Sequence, residues 1–404
     1  MCDPQGNALA RPAAGTGRWP EVLTAFLRLG LTAFGGPVAH LGYFRDEFVA
    51  RRRWLDEAAY ADLVALCQFL PGPASSQVGL ALGLSRAGYA GALAAWIGFT
   101  LPSAAAMVLC AYGSVALDEG AGRGALHGLK AAAAAVVALA ILGMMRSLAP
   151  DRPRATLAVA AAGLALAVPG TGGQIGALIL GGIAGLALPE QAIPAPGAAA
   201  AWSPRVGRRA ALGCLAVFAL LLVGLPLAAE AAASPGLSLF CVFFRAGSLV
   251  FGGGHVVLPL LQAEMVPHLV GADAFLAGYG AVQAMPGPLF TVAAYLGAVC
   301  GGLPGAAVAL AGIFLPSFLL VFGTLPFWSR LRAVPRARRV LAGVNAAVVG
   351  LLLAAFYDPV WTAGITGPAG YALALAAFLL LFLWRAPPWL VVALSAAAGA
   401  LVTG

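Results

Sequence analysis

Twice in this chain an apolar run is cut by Pro-Gly-Pro, at Gln68-Phe69-Leu70-Pro71-Gly72-Pro73 and again at Gln283-Ala284-Met285-Pro286-Gly287-Pro288. No helix continues through such a break. Two of its three residues lack a backbone N–H, each proline ring clashes with the preceding turn, and glycine opens backbone angles that other residues avoid. The second proline suits the first position of a fresh helix. Each copy therefore predicts a tip where one helix stops inside an apolar layer and another begins.

The surroundings of the two tips decide the class. The chain is 61% hydrophobic and 9% charged, well outside the soluble range. Segments such as 88–116, 126–145 and 340–357 are long enough to cross a bilayer. The expected fold is an all-α polytopic membrane protein. The first 20 residues are polar and Pro/Gly-rich, without the charged-then-apolar pattern of a signal peptide, and read as a cytoplasmic tail. The six cysteines are scattered and form no C-x-x-C, so they read as buried spectators. A net charge of +8 needs no nucleic acid, because cytoplasmic loops of membrane proteins are basic. No Walker A loop, H-E-x-x-H, G-x-S-x-G or carboxylate cluster is present. That excludes ATP hydrolysis by this chain, speaks against an enzyme, and leaves no metal or cofactor to expect.

The tips belong to a larger duplication. Phe26-Leu27-Arg28-Leu29-Gly30 with Phe34-Gly35-Gly36 echoes Phe243-Phe244-Arg245-Ala246-Gly247 with Phe251-Gly252-Gly253, at an offset of 217. Glu47 pairs with Glu264 and Asp56 with Asp273 in the same register. Farther on, Gly88-x-x-Gly91 matches Gly302-x-x-Gly305, and Leu101-Pro102-Ser103 matches Leu315-Pro316-Ser317. The chain divides into a tail (1–20), a first repeat (21–190), a linker with one crossing helix (191–236) and a second repeat (237–404).

Arginines are distributed unequally between the repeats. Arg45, Arg51, Arg52 and Arg53 crowd a loop whose counterpart, 262–273, has no Lys or Arg. Conversely, 328–339 carries five arginines where 116–130 has only Arg123 and Lys130. Under the positive-inside rule the two repeats are inverted. The expected topology is four full helices per half plus the linker helix, nine spans, with re-entrant pairs at the Gly-Gly and Pro-Gly-Pro breaks, or about thirteen spans if every broken piece crosses. It places the N-terminus in the cytoplasm and the C-terminus outside. Trp19, Trp54, Trp202, Trp328, Trp384 and Trp389 fall near span ends, as interfacial anchors do.

Several residues suit an anion. Arg28 and Arg245 lie inside apolar helices, where an arginine either pairs with a carboxylate or faces a polar cavity. A guanidinium is the better fork for an oxyanion. The breaks at Gly35-Gly36 and Gly252-Gly253 free amides that face an anion or simply pack a tight hairpin. Behind the tips come Ser75, Ser76 and Thr291, and ahead of them the neutral amides Gln68 and Gln283. Gly72 and Gly287, at the tips themselves, complete the expected substrate set. His40, Glu47, His255 and Glu264 are the expected proton carriers, with plain structural roles as the alternative. Asp56 and Asp273 read as helix N-caps.

Phe34-Gly35-Gly36-Pro37-x-x-His40, Arg51-Arg52-Arg53-Trp54 and Gln68-x-x-Pro71-Gly72-Pro73 resemble the long-chain chromate ion transporters. So do Phe251-Gly252-Gly253-Gly254 with Leu258-Pro259-Leu260, and Gln283-x-x-Pro286-Gly287-Pro288. The resemblance covers both halves in order. It implies a bacterial inner-membrane exporter of chromate, with sulfate as the natural analogue, coupled to the proton-motive force. Its partners would be the oxyanion, protons and the lipid bilayer, and a homodimer is compatible with it. Chromate enters through the resemblance alone. The residues themselves leave open a sulfate or other oxyanion transporter, an anion channel, or a membrane enzyme acting on a lipid phosphate.

Overall fold

The computed structural model describes residues 17–116, 121–189, 206–251, 254–266, 268–365 and 367–402. Among the described residues it is helical throughout. The first half runs through α1 (Trp19–Thr32), α2 (Gly36–Phe44), α3 (Glu57–Phe69), α4 (Ala74–Ala116), α5 (Ala121–Leu148), α6 (Arg152–Ala167) and α7 (Thr171–Gly185). The linker helix is α8 (Arg208–Ala232). The second half repeats the order as α9 (Pro235–Leu249), α10 (Val257–Met265), α11 (Ala272–Val282), α12 (Val292–Thr324), the short α13 (Trp328–Leu331), α14 (Pro335–Ala355), α15 (Gly367–Phe382) and α16 (Pro388–Val402).

The duplication is visible in backbone detail. Gly88 holds φ 67° and ψ −156°, and its counterpart Gly302 holds φ 61° and ψ −153°. At both places the chain turns back on itself. Gly83 lies against the backbone of Gly91, and Gly297 against that of Gly305, so tightly that neither contact has room for a Cβ. Each long segment is thus a helical hairpin of a short arm and a long one. On the outer side of each long arm the same small-residue seam recurs: Gly98 of α4 meets α1, and Gly312 of α12 meets α9.

Equivalent long arms lie side by side and antiparallel. Tyr89 packs on Phe322 (ring centroids 5.2 Å apart), Trp96 on Phe318 (5.8 Å) and Phe314 (5.6 Å), and Tyr112 reaches Gly302. The last two helices of each half cross over to the other half. Gly181 and Gly185 of α7 pack on Gly343 of α14, and correspondingly Ser395 and Gly399 of α16 pack on Gly128 of α5. Ala135 and Val136 of α5 cluster with Ala377 and Leu381 of α15. The halves are interlocked rather than juxtaposed.

Helix length sorts the expected spans into long and short ones. Where nine full spans were expected, five helical segments among the described residues are long and apolar enough to cross a bilayer by length and composition, and two of these fold back at Gly88 and Gly302. The 15-residue α7 rises only about 22 Å, short of a 30 Å hydrocarbon layer. Two expected interfacial tryptophans are buried instead. Trp54 stacks on Phe48 with Arg52 and Arg86 over its ring, and Trp328 donates to Asp62 at 3.0 Å. Trp19, Trp384 and Trp389 are exposed, and Trp202 lies outside the described residues.

Candidate functional site

Each Pro-Gly-Pro tip is tied to the opposite half. Gly72 N–H donates to Val250 O at 2.7 Å, and Gly287 N–H donates to Ala33 O at 2.9 Å. The acceptors are equivalent residues, the C-caps of α9 and α1. Behind the tips the exchange is again reciprocal, with Ser317 against Gly72 and Ser103 against Gly287. The tip glycine amides therefore hold the halves together and are not free for an anion.

The crossing point encloses a cavity of about 690 Å³. Both tips and the first Gly break line it, with Gly254 after the second, through Gly35, Gly36, Gly72, Gly254 and Gly287, together with Gln68, Gln283, His255 and Asn345. One wall is a face of α5 from Val136 to Leu148, including Ser147. No lysine, arginine or carboxylate is among its described lining residues. Its polarity comes from neutral groups and from helix starts: Gly36 opens α2, Ala74 opens α4, Leu289 leads into α12 and Pro388 opens α16. First-turn amides have no intrahelical acceptor and carry the positive end of the helix dipole. Asn345 Oδ1 is buried with no hydrogen-bond partner among the described residues, and the Gln283 amide lies beside the Tyr279 hydroxyl. Helix starts and neutral amides are the kind of donors that anion sites without fixed charge are built from.

The expected site residues divide between cavity and scaffold. Gly35, Gly36, Gln68, Gly72, Gln283, Gly287 and His255 line the cavity. Gly252 and Gly253 lie outside the described residues. The two arginines are elsewhere. Arg28 is exposed on the outer face of α1 beside Thr24 and Thr32, while Arg245 is held by Glu264, at 3.0 Å from Nε and 2.5 Å from Nη2. Glu47 is likewise occupied, by Arg52 at 2.6 Å and Arg51 at 3.1 Å. Ser75, Ser76 and Thr291 are buried behind the tips: Ser75 Oγ is 3.4 Å from His40 Nδ1, and Thr291 donates to Pro288 O at 2.8 Å. His40 is fully buried, with Nε2 3.2 Å from Ala33 O. His255 differs, facing the cavity with Nδ1 2.7 Å from Tyr279 Oη. Asp56 caps α3 as expected, accepting from Ala59 N–H at 2.7 Å. Asp273 does not cap α11. Gly271 holds that position, and Asp273 pairs with Lys130 at 2.8 Å.

Sequence reasoning noted Asn345 only as a polar oddity in a scaffold helix and passed over Ser147 and Tyr279. Asn345 had a signal, as a lone amide in an apolar helix at the position that matches Lys130 in Gly128-Leu129-Lys130 and Gly343-Val344-Asn345.

Two like helical halves interlocked around a polar cavity, with five helical segments among the described residues long and apolar enough to cross a bilayer, have the build of a multi-pass membrane protein. The chain belongs to the chromate transporter family, whose sequence profile matches residues 20–186 and 237–400. It is 30% identical over 381 residues to the chromate transport protein of Pseudomonas aeruginosa, covering 91% of this chain and 88% of that one. It is 27% identical over 345 residues to the chromate transport protein of Cupriavidus metallidurans, covering 83% and 81%. Identity to a probable chromate transport protein of Synechococcus elongatus is also 27%, over 351 residues, covering 82% and 81%. No solved structure matches the chain.

Proposed function

We propose that this protein exports chromate as a tetrahedral dianion across the bacterial inner membrane, with the two repeats inverted and alternating access running through the central cavity. The carrying observation is the cavity itself: both tips, Gly35-Gly36 and Gly254 converge on one space lined by Gln68, Gln283 and helix starts, with no lysine, arginine or carboxylate among its described lining residues. Inversion is supported by the antiparallel contact of equivalent arms, Tyr89 with Phe322 and Trp96 with Phe318. It is supported also by the gathering of unlike arginine clusters at one end. There Arg52 and Arg86 share Glu21, and Arg332 of the second half pairs with Asp62 of the first. That end is cytoplasmic under the positive-inside rule, with the N-terminus beside it and the C-terminus periplasmic.

The membrane potential sets the direction. One charge through 100 mV is worth about 2.3 kcal/mol, so an inside-negative membrane favours expelling a dianion by about 4.6 kcal/mol per 100 mV. Proton exchange adds to this, with His255 the expected carrier that borders the cavity. Neutral amides do not tell one tetrahedral dianion from another, which keeps sulfate as the second reading.

The test is chromate uptake into inverted vesicles under an imposed potential. Uptake should rise with an inside-positive potential, fall in Gln68→Leu and Gln283→Leu at equal protein level, and be competed by excess sulfate if the second substrate is shared. Uptake indifferent to both the potential and the glutamine substitutions would overturn the proposal.

A further inference from the structure

The cavity is symmetrical at its centre and lopsided at its edge. Equivalent residues both contribute at the centre: Pro37 with Gly254, Gln68 with Gln283, Gly72 with Gly287. Along α5 the cavity continues past Leu139 and Ala140, whereas their counterparts on α14, Ala354 and Ala355, are packed away at 7% and 2% exposure. One position runs the other way. Asn345 of α14 lines the cavity, and its counterpart Lys130 of α5 does not.

Lys130 is the chain's only lysine. It is 3% exposed, and its Nζ lies 2.8 Å from Asp273 Oδ1, on a side chain that is itself 77% exposed. The α5 wall of the cavity begins at Val136, six residues or about 9 Å of helix rise beyond Lys130. Gly280 of α11 packs on the Leu129 carbonyl, so α5 and α11 meet here. The Lys130–Asp273 pair thus stands between the cavity and the surface on the side away from the α5 mouth.

In an inverted-repeat transporter, letting the halves exchange conformations gives the opposite-facing state. The α5 wall then closes, the α14 wall opens, and position 130 moves to the place that position 345 holds now. We propose that Lys130 is a substrate-contacting residue of that opposite-facing state, leaving Asp273 to put its ammonium into the anion cavity. This rests on the inverted reading under Proposed function.

The chemistry makes a valve. A buried ammonium without a partner is strongly disfavoured, so an empty cavity cannot draw Lys130 off Asp273. A dianion in the cavity supplies the replacement counter-charge, and only then does the crossing become accessible. Once the anion leaves, Asp273 recaptures the lysine and the protein returns. The opposite wall also brings Asp358 to the position of Gly143, a carboxylate near the exit that speeds departure of an anion.

The experiment compares Lys130→Gln, Lys130→Arg and Asp273→Asn for chromate uptake into inverted vesicles, normalised to protein in the membrane. Lys130→Gln should lose about tenfold or more, the size of a lost charge contact, while Lys130→Arg keeps more. Asp273→Asn should lose less than Lys130→Gln, because its lysine is still there for the substrate and only the recapture that drives the return is weakened. Equal losses in Lys130→Gln and Asp273→Asn would mean a structural ion pair and overturn the proposal, as would normal uptake in Lys130→Gln. A second arm separates the underlying reading: Ala355→Cys in a cysteine-free background should react with a membrane-impermeant maleimide from the side opposite the α5 mouth. No labelling there removes the exchange of halves whatever Lys130 does. Labelling with normal Lys130→Gln transport removes only the role of the lysine.

Discussion

Replacing either tip glycine by alanine tests the reciprocal tie between the halves. Gly72 and Gly287 hold φ of 121° and 95°. An alanine pays about 1–2 kcal/mol for left-handed backbone. A Cβ at Gly72 would also lie 2.5 Å from Gln77 Nε2 and 2.9 Å from Ser317 Oγ. Relief means pulling the Gln77 amide off Pro71 O, now 2.6 Å away, at a cost of about 1 kcal/mol. At Gly287 the obstacles are Ser103 Oγ at 2.9 Å and the Phe99 carbonyl at 3.0 Å. The latter is helix backbone and cannot turn aside, so the tip must retreat and stretch the 2.9 Å bond to Ala33 O, again about 1 kcal/mol. Both variants should therefore lose about 2–3 kcal/mol. Gly367→Ala is the control, with φ 70° but open space around its Cβ, and should lose only the backbone part, about 1–2 kcal/mol. The assay is the thermal midpoint and reversible denaturant unfolding of purified protein in detergent. Gly72→Ala and Gly287→Ala should fall together, below Gly367→Ala. If they match Gly367→Ala, contact across the halves is not what requires glycine at the tips.

Asp62 accepts from Trp328 Nε1 at 3.0 Å and from Arg332 at 2.7 Å, with side chains only 10% and 13% exposed for the ion pair; Asp62→Ala strands the arginine and should cost about 3–5 kcal/mol, with Asp62→Asn milder in the same unfolding assay. Asp151 caps α6, and the Arg154 guanidinium beside it holds its carboxyl below the usual carboxylate range. A depressed folded value means its contribution is complete above the unfolded carboxylate range and is lost as pH falls through the folded one, so the midpoints of the parent and Asp151→Asn should converge in acid and separate toward neutrality. Arg28→Ala should leave chromate uptake near that of the parent, since Arg28 is exposed outside the cavity, whereas Arg245→Ala deprives a largely buried Glu264 of its counter-charge and should lower the amount of folded protein in the membrane.

Proline and glycine made much of this fold legible, because they restrict the backbone wherever they occur. The tips at Pro71-Gly72-Pro73 and Pro286-Gly287-Pro288, and their meeting at one cavity with Gln68 and Gln283, follow from that restriction. The arginines misled for an equally physical reason. Arg28 and Arg245 are equivalent in sequence, but the choice of partner depends on neighbours. Glu47 has Arg51 and Arg52 within a turn and a half, whereas the matching positions after Glu264 are His268 and Leu269. Glu264 therefore takes Arg245, and Arg28 is left on the outside. The cross-over of α6–α7 and α15–α16 had no marker at all, since helices of alanine, glycine and leucine read alike whichever helix they cover.

The clasp of α16 on α5 has a consequence for how the protein is made. Helix α5 leaves the ribosome near residue 121, yet the surface that covers Gly128 is not synthesised until Ser395 and Gly399. For most of translation that seam is bare within the lipid, and the amino-terminal portion waits, unfinished, for the final stretch of polypeptide. Loss of only the last helix would thus leave a defect some 270 residues upstream, and membrane quality control would meet an incomplete bundle rather than a folded half with a missing tail.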